Sequence, residues 1–160
     1  FRYAFAFHPN HYPARPPYYN GRYRFAKHYY PIIHDLREKT AGGQIAEEFR
    51  CAQALDVHPQ VKHWVRNVER EQRFSFWLPT ATDYFYPDFI AELTDGRVLA
   101  VEYKGDPYKT NDDSREKIQI GHQWEQSSNT HGLFLMAVAN DDQGRDVRRQ
   151  LADKIAAAMH

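Results

Sequence analysis

The sequence predicts a mixed α/β fold, a β-sheet flanked by helices in the order α-β-β-β-β-α-β-α. Three observations carry this expectation. Between Tyr86 and Gly105, two apolar runs flank an Asp95-Gly96 turn, which is a short-range hairpin signal. Leu133 to Ala139 is a short continuous apolar run, as expected of a buried strand. Three further stretches carry apolar residues at helical spacing.

Taken in order, residues 1 to 34 are rich in Tyr, Phe, Pro and His without a clear period, and Pro13, Pro16, Pro17 and Pro31 forbid a continuous helix. They are expected to form an arm or linker ahead of a domain over residues 35 to 160. Ala41 to Leu55 reads as a helix, with Ile45, Phe49, Ala52 and Leu55 on one face. Val61 to Asn67 reads as a strand in which Val61, His63 and Val65 alternate with Lys62, Trp64 and Arg66. Phe74 to Leu78 reads as the next strand, followed by a loop from Pro79 to Asp83 and then the hairpin. Asp106 to Asp113 reads as a loop. Ser114 to Ser127 reads as a helix capped by Asp113 and Glu116, with Lys117, Ile120, Gly121 and Trp124 on one face. Asp146 to Met159 closes the chain as a helix with Val147, Leu151, Ile155 and Met159 in line.

The length of 160 residues suits one domain with a real core. No apolar run approaches the ~20 residues that span a bilayer, and no signal-peptide series is present. Cys51 is alone, which excludes an internal disulfide and fits a reducing cytoplasm. His8 and His11 are close in sequence, but no cysteine pair completes a zinc site. There is no Gly-rich phosphate loop and no Gly-x-Ser-x-Gly elbow, which excludes an ATPase site and that hydrolase class from this stretch. The chain opens on Phe1 rather than Met and reads as a piece of something longer. The formal net charge of zero conceals an asymmetry: residues 1 to 34 hold Arg2, Arg15, Arg22, Arg24 and Lys27 and no acid. Basic residues interleaved with aromatics suit single-stranded nucleic acid, and Arg22, Arg24 and Lys27 are the candidate contacts. The competing reading is that these aromatics pack on the domain or on a further domain upstream.

The candidate site lies on the hairpin. Pro87-Asp88 opens its first strand, and Glu102-Tyr103-Lys104 closes the second. Side chains alternate along a strand, so Glu102 and Lys104 share a face. Two acids and a lysine at the ends of paired strands can hold a divalent metal and a water beside it. The face shared by Asp88 depends on the turn. A two-residue loop would set Asp88 and Glu102 on opposite faces, whereas a three-residue loop, Thr94-Asp95-Gly96, sets them directly opposite each other. The latter requires Gly96 at positive φ and is the expected geometry.

Pro-Asp, a hairpin and then Glu-x-Lys resembles the PD-(D/E)xK nuclease superfamily. The fuller wording, Phe-Tyr-Pro-Asp-Phe with Asp-Gly-Arg and Val-Glu-Tyr-Lys-Gly, looks like the C-terminal endonuclease domain of type III restriction subunits and related helicase-nucleases. The resemblance covers about Glu48 to Ala139. It implies a restriction-endonuclease-like sheet and Mg²⁺-dependent hydrolysis of DNA phosphodiesters, with Mn²⁺ as a substitute. It also implies that Asp88, Glu102 and the Tyr103 carbonyl bind the metal and that Lys104 orients the attacking water. The family's first helix carries a Glu seven residues before an apolar residue followed by an acid. Glu48, seven residues before Leu55-Asp56, matches that pattern better than Glu47, as a further catalytic and metal-site carboxylate. The alternative for both acids is stabilisation of the helix N-terminus by its dipole. Lys117, in a Glu-Lys-Ile-x-x-Gly order like that of the family's following helix, either orders the site, contacts nucleic acid or extends its stem to solvent. Expected partners are DNA, an upstream helicase or translocase domain, and a methyltransferase-type subunit. The competing functional class is a nucleic-acid-binding or scaffolding module without turnover. A third reading makes the acids and lysine a surface salt bridge, worth little.

Overall fold

The computed structural model describes residues 7, 9–105 and 112–157. Its elements in chain order are α1 (Glu47–Val57), β1 (Val61–Arg66), β2 (Leu78–Pro79), β3 (Tyr84–Phe85), β4 (Phe89–Leu93), β5 (Val98–Tyr103), α2 (Asp112–Ser127), β6 (Gly132–Ala137) and α3 (Val147–Ala157). The main sheet runs β1-β4-β5-β6. Its first two pairings are antiparallel, and β5 pairs with β6 in parallel across the α2 crossover. The fold is therefore mixed α/β, with three helices and a four-stranded mixed sheet.

Alternation along the central strands sends side chains into two cores. Phe89, Ala91 and Leu93 of β4, with Leu99 and Val101 of β5, pack with α1 residues Phe49, Ala52 and Leu55 and α3 residues Val147, Leu151 and Ile155. Ile90, Val98 and Ala100 face the other way, against Ile120 and Trp124 of α2 and Phe76, Leu78 and Phe85 around the small β2–β3 sheet. The sheet thus lies between helices, and each central strand is buried on both faces. Gly121 permits the α2–β6 contact, since a Cβ there would lie 2.3 Å from the Phe134 ring.

Several expectations change. The first helix starts at Glu47 rather than near Ala41, and Ile45 is exposed outside it. The strand expected over Phe74 to Leu78 is replaced by the two short strands β2 and β3. The buried amide of Asn67 explains this, because it donates to the Phe76 carbonyl at 2.8 Å and accepts from the Phe76 N–H at 3.1 Å. Both backbone groups of Phe76 are thus engaged by a side chain instead of by a neighbouring strand. The helix α2 begins at Asp112, so Asp113 lies in its first turn instead of capping it, and Glu116 accepts from the Ala81 N–H at 3.3 Å. In β1 the register shifts between Val61 and His63. This bulge puts Val61 on the same face as Trp64, where strict alternation predicted opposite faces. Met159, residues 106 to 111 of the expected loop, and residues 1 to 6 and 8 of the arm lie outside the described residues.

The described part of the arm is packed on the domain. The buried carboxylate of Asp56 accepts the N–H groups of Ala26 and Lys27 and the indole N–H of Trp64, the last two at 2.8 and 2.9 Å. Residues 27 to 29 run beside β1, with Trp64 N donating to Lys27 O at 3.0 Å and Tyr29 N to Trp64 O at 2.9 Å. Tyr23 and Phe25 turn inward against Phe49, while Arg22 and Arg24 remain exposed.

Candidate functional site

The hairpin connection sets the site. Leu93 N donates to Arg97 O at 2.8 Å, Gly96 N donates to Leu93 O at 2.9 Å, and Gly96 has φ 91°. This is a three-residue loop with its last residue in the left-handed region, where glycine has no Cβ to clash. Phe89 consequently pairs with Val101, the last pair of the ladder, and continuing that register sets Asp88 against Glu102.

The ladder ends there because Pro87 has no N–H to donate. The Pro87 carbonyl turns to the Asn67 amide at 2.9 Å. Side chains take over the pairing. Asp88 Oδ2 accepts the Tyr103 N–H at 2.8 Å, and Glu102 Oε1 accepts the Asp88 N–H at 3.1 Å. Each carboxylate therefore has one oxygen fixed by the opposite strand, which brings two acids together at the sheet end. Burial and the nearby Asp88 push the Glu102 carboxyl up to about 8.

Two basic groups from outside the hairpin meet these acids. Lys117 of α2 places Nζ 3.0 Å from Glu102 Oε2 and 3.2 Å from Asp113 Oδ2. The same ammonium lies 5.1 Å from the Phe85 ring centroid. Burial lowers its pKa, but the neighbouring carboxylates outweigh burial and leave it raised. Lys117 is thus paired in the site rather than extended to solvent.

Arg66 of β1 is the site residue that the motifs missed. Its Nη2 donates to Glu48 Oε2 at 3.1 Å and lies 3.4 Å from Asp35 O, while its Nη1 approaches Asp88 Oδ1 at 3.6 Å. The guanidinium stacks over Phe89, 5.0 Å from the ring centroid. A lone arginine near the end of a predicted strand carries little signal, and only the pairing of β1 with β4 brings it beside Asp88. Burial raises the Glu48 carboxyl, Arg66 opposes that shift, and Asp88 adds to it. The structure therefore joins Glu48 to Asp88 through Arg66.

Lys104 is half-buried just beyond β5, with its N–H on Ala137 O at 2.8 Å, and its ammonium has no ion pair among the described residues. Glu47 pairs with Arg50 at 3.5 Å. Lys27 is used internally: its ammonium donates to His58 O at 2.7 Å and Val61 O at 2.8 Å. That role follows from the packing of the arm and takes Lys27 out of the exposed set left by Arg22 and Arg24.

The donor set suits a hard divalent cation. Two carboxylates and the Tyr103 carbonyl offer oxygen, the atom such a cation takes, and a cation there would offset both the burial of Glu102 and its repulsion from Asp88. Among the described residues, no three His, Cys, Asp or Glu side chains converge on one point. No helix there is long and apolar enough to cross a membrane. Comparison of the chain with family models, curated proteins and solved structures found no match.

Proposed function

We propose that this chain is a metal-dependent endonuclease domain of the PD-(D/E)xK kind, hydrolysing DNA phosphodiester bonds. The observation that carries the reading is that Asp88 and Glu102 meet at the end of a hairpin, each accepting a backbone N–H from the other's strand. The four-stranded mixed sheet between helices agrees with the restriction-endonuclease-like layout.

Asp88, Glu102 and the Tyr103 carbonyl would hold Mg²⁺, or Mn²⁺ in its place. Bound there, the metal would stabilise charge on the phosphate and make a coordinated water more acidic. Lys104, just beyond β5, would orient the attacking water and supply a positive charge near the phosphate. Lys117 compensates Glu102 and keeps its carboxylate aimed. Exposed Arg22 and Arg24 are candidate contacts for the nucleic-acid backbone. In the same reading the domain works in the cytoplasm, downstream of a helicase or translocase and beside a methyltransferase-type subunit.

The test is nicking of supercoiled plasmid with Mg²⁺ or Mn²⁺, compared with EDTA and with Asp88→Ala. Metal-dependent nicking that Asp88→Ala removes supports the reading. Equal nicking by both proteins excludes it. A non-catalytic binding module is the second reading, favoured by the basic groups already placed against both carboxylates. It expects DNA binding in EDTA, no nicking with either metal, and intact binding in Asp88→Ala.

A further inference from the structure

We infer that Arg66 is a positioning residue shared by Glu48 and Asp88, and that Glu48 acts on the site through Arg66 rather than as an independent metal ligand. The functional meaning of this inference rests on the endonuclease reading; the bridge itself does not. Its basis is geometric. The Arg66 side chain is 11% exposed and its two terminal nitrogens serve different acids, Nη2 on Glu48 at 3.1 Å and Nη1 toward Asp88 at 3.6 Å. Nη1 is buried without a hydrogen-bond partner, so its compensation in this arrangement is the charge of Asp88. The Phe89 ring lies under the guanidinium, 5.0 Å from Cζ to the ring centroid, and packs against it.

The position of Arg66 has a chemical consequence. With Asp88 Oδ2 held by Tyr103 N–H, Oδ1 is the oxygen nearer the guanidinium. A cation bound by Asp88 must share that carboxylate with Arg66. Glu48 draws the guanidinium toward α1 and limits this competition. Neutralising Glu48 releases the arginine onto Asp88, which weakens cation binding although no ligand has been lost. Changes to side chains that orient metal ligands typically cost roughly 10–100-fold in affinity.

The test is a double-mutant cycle on Mn²⁺ binding, measured by calorimetry on the full chain, with Glu48→Gln, Arg66→Met and both together. Glu48→Gln alone should weaken Mn²⁺ binding about tenfold or more. In the Arg66→Met background the same change should alter affinity by less than about twofold, within the usual error of such cycles. An equal loss in both backgrounds would make Glu48 an independent ligand and overturn the inference.

Urea unfolding in EDTA tests the bridge without metal. Arg66→Met should lower the midpoint, because it leaves two partly buried acids without their cation. Adding either Glu48→Gln or Asp88→Asn should then raise the midpoint more than the same change does in the wild-type chain. Rescue by Glu48→Gln alone would show that Asp88 does not use Arg66, and would overturn the shared role. If the wild-type chain binds no Mn²⁺, the metal reading fails, and the urea series alone decides the bridge. Arg66→Lys keeps the charge but not the fork, and should recover the midpoint only in part.

Discussion

Glu102 Oε1 accepts the N–H of Asp88 at 3.1 Å, while Asp88 Oδ2 accepts the N–H of Tyr103, next to Glu102. Two acids are thus held together by the backbone of each other's strand. The bonds lock their position and the shared burial makes their charges costly. Without a cation the pair favours a proton, and this gives the first expectation.

Stability in EDTA should fall as pH rises from about 5 to about 9. The Glu102 carboxyl moves from an ordinary 4.5 to about 8 in the folded chain. Between those values the folded state binds more protons than the unfolded state, so its stability decreases with rising pH. Below the ordinary value the contribution is fully present; above about 8 it is lost. The urea midpoint should show this slope in the wild-type chain and lose it in Glu102→Gln. An identical slope in both proteins would place the titration elsewhere.

Above about pH 8, where Glu102 is ionised, Lys117→Met should destabilise the domain by about 2 kcal/mol, between the worth of exposed pairs and the cost of breaking buried ones. The penalty should shrink in the Glu102→Gln background, because the unpaired carboxylate is then absent. Equal penalties in the two backgrounds, read from urea midpoints, would mean that the lysine stem and its contact with Phe85 carry the effect.

Asp88→Asn, Glu102→Gln and Lys104→Ala should each reduce cleavage by a factor of about 10² or more while the domain stays folded. DNA binding should survive best in the two amide variants, which remove negative charge. Plasmid nicking measures the first effect and a mobility shift in EDTA the second. Full activity in any of the three would remove that residue from the mechanism.

Gly96→Ala should cost about 1–2 kcal/mol, since the loop holds this residue at φ 91°. Inserting one residue at the tip should do something different. It shifts the register by one and turns the side chains of one strand to the other face. The inserted chain should remain partly folded and lose metal-dependent nicking.

Asp56→Ala should destabilise the chain by about 3 kcal/mol, because it leaves the buried Trp64 indole N–H and the part-buried N–H groups of Ala26 and Lys27 without their acceptor. For the same reason, deleting the arm is a poor test of nucleic-acid contact. Arg22→Gln with Arg24→Gln is the better one. If both touch phosphate, the slope of log binding constant against log salt should flatten by about 1–2 units. An unchanged slope would assign this segment to packing.

The hairpin and its register were legible in the sequence because their causes are local. Gly96 supplies the left-handed residue, the period of two fixes the faces, and Asp88 therefore falls opposite Glu102. The apolar runs of β6 and α3 were legible for a similar reason, since burial leaves a periodic trace. What surrounds the acids was decided by tertiary structure. Arg66 reaches Asp88 because β1 pairs with β4, and Lys117 reaches Glu102 because α2 packs across that face through Gly121 and Trp124. The bulge in β1, the capture of Phe76 by Asn67 and the clamp of Asp56 on the arm are of the same kind. Each depends on groups far apart in the chain, so no window of neighbouring residues contains both halves of the interaction.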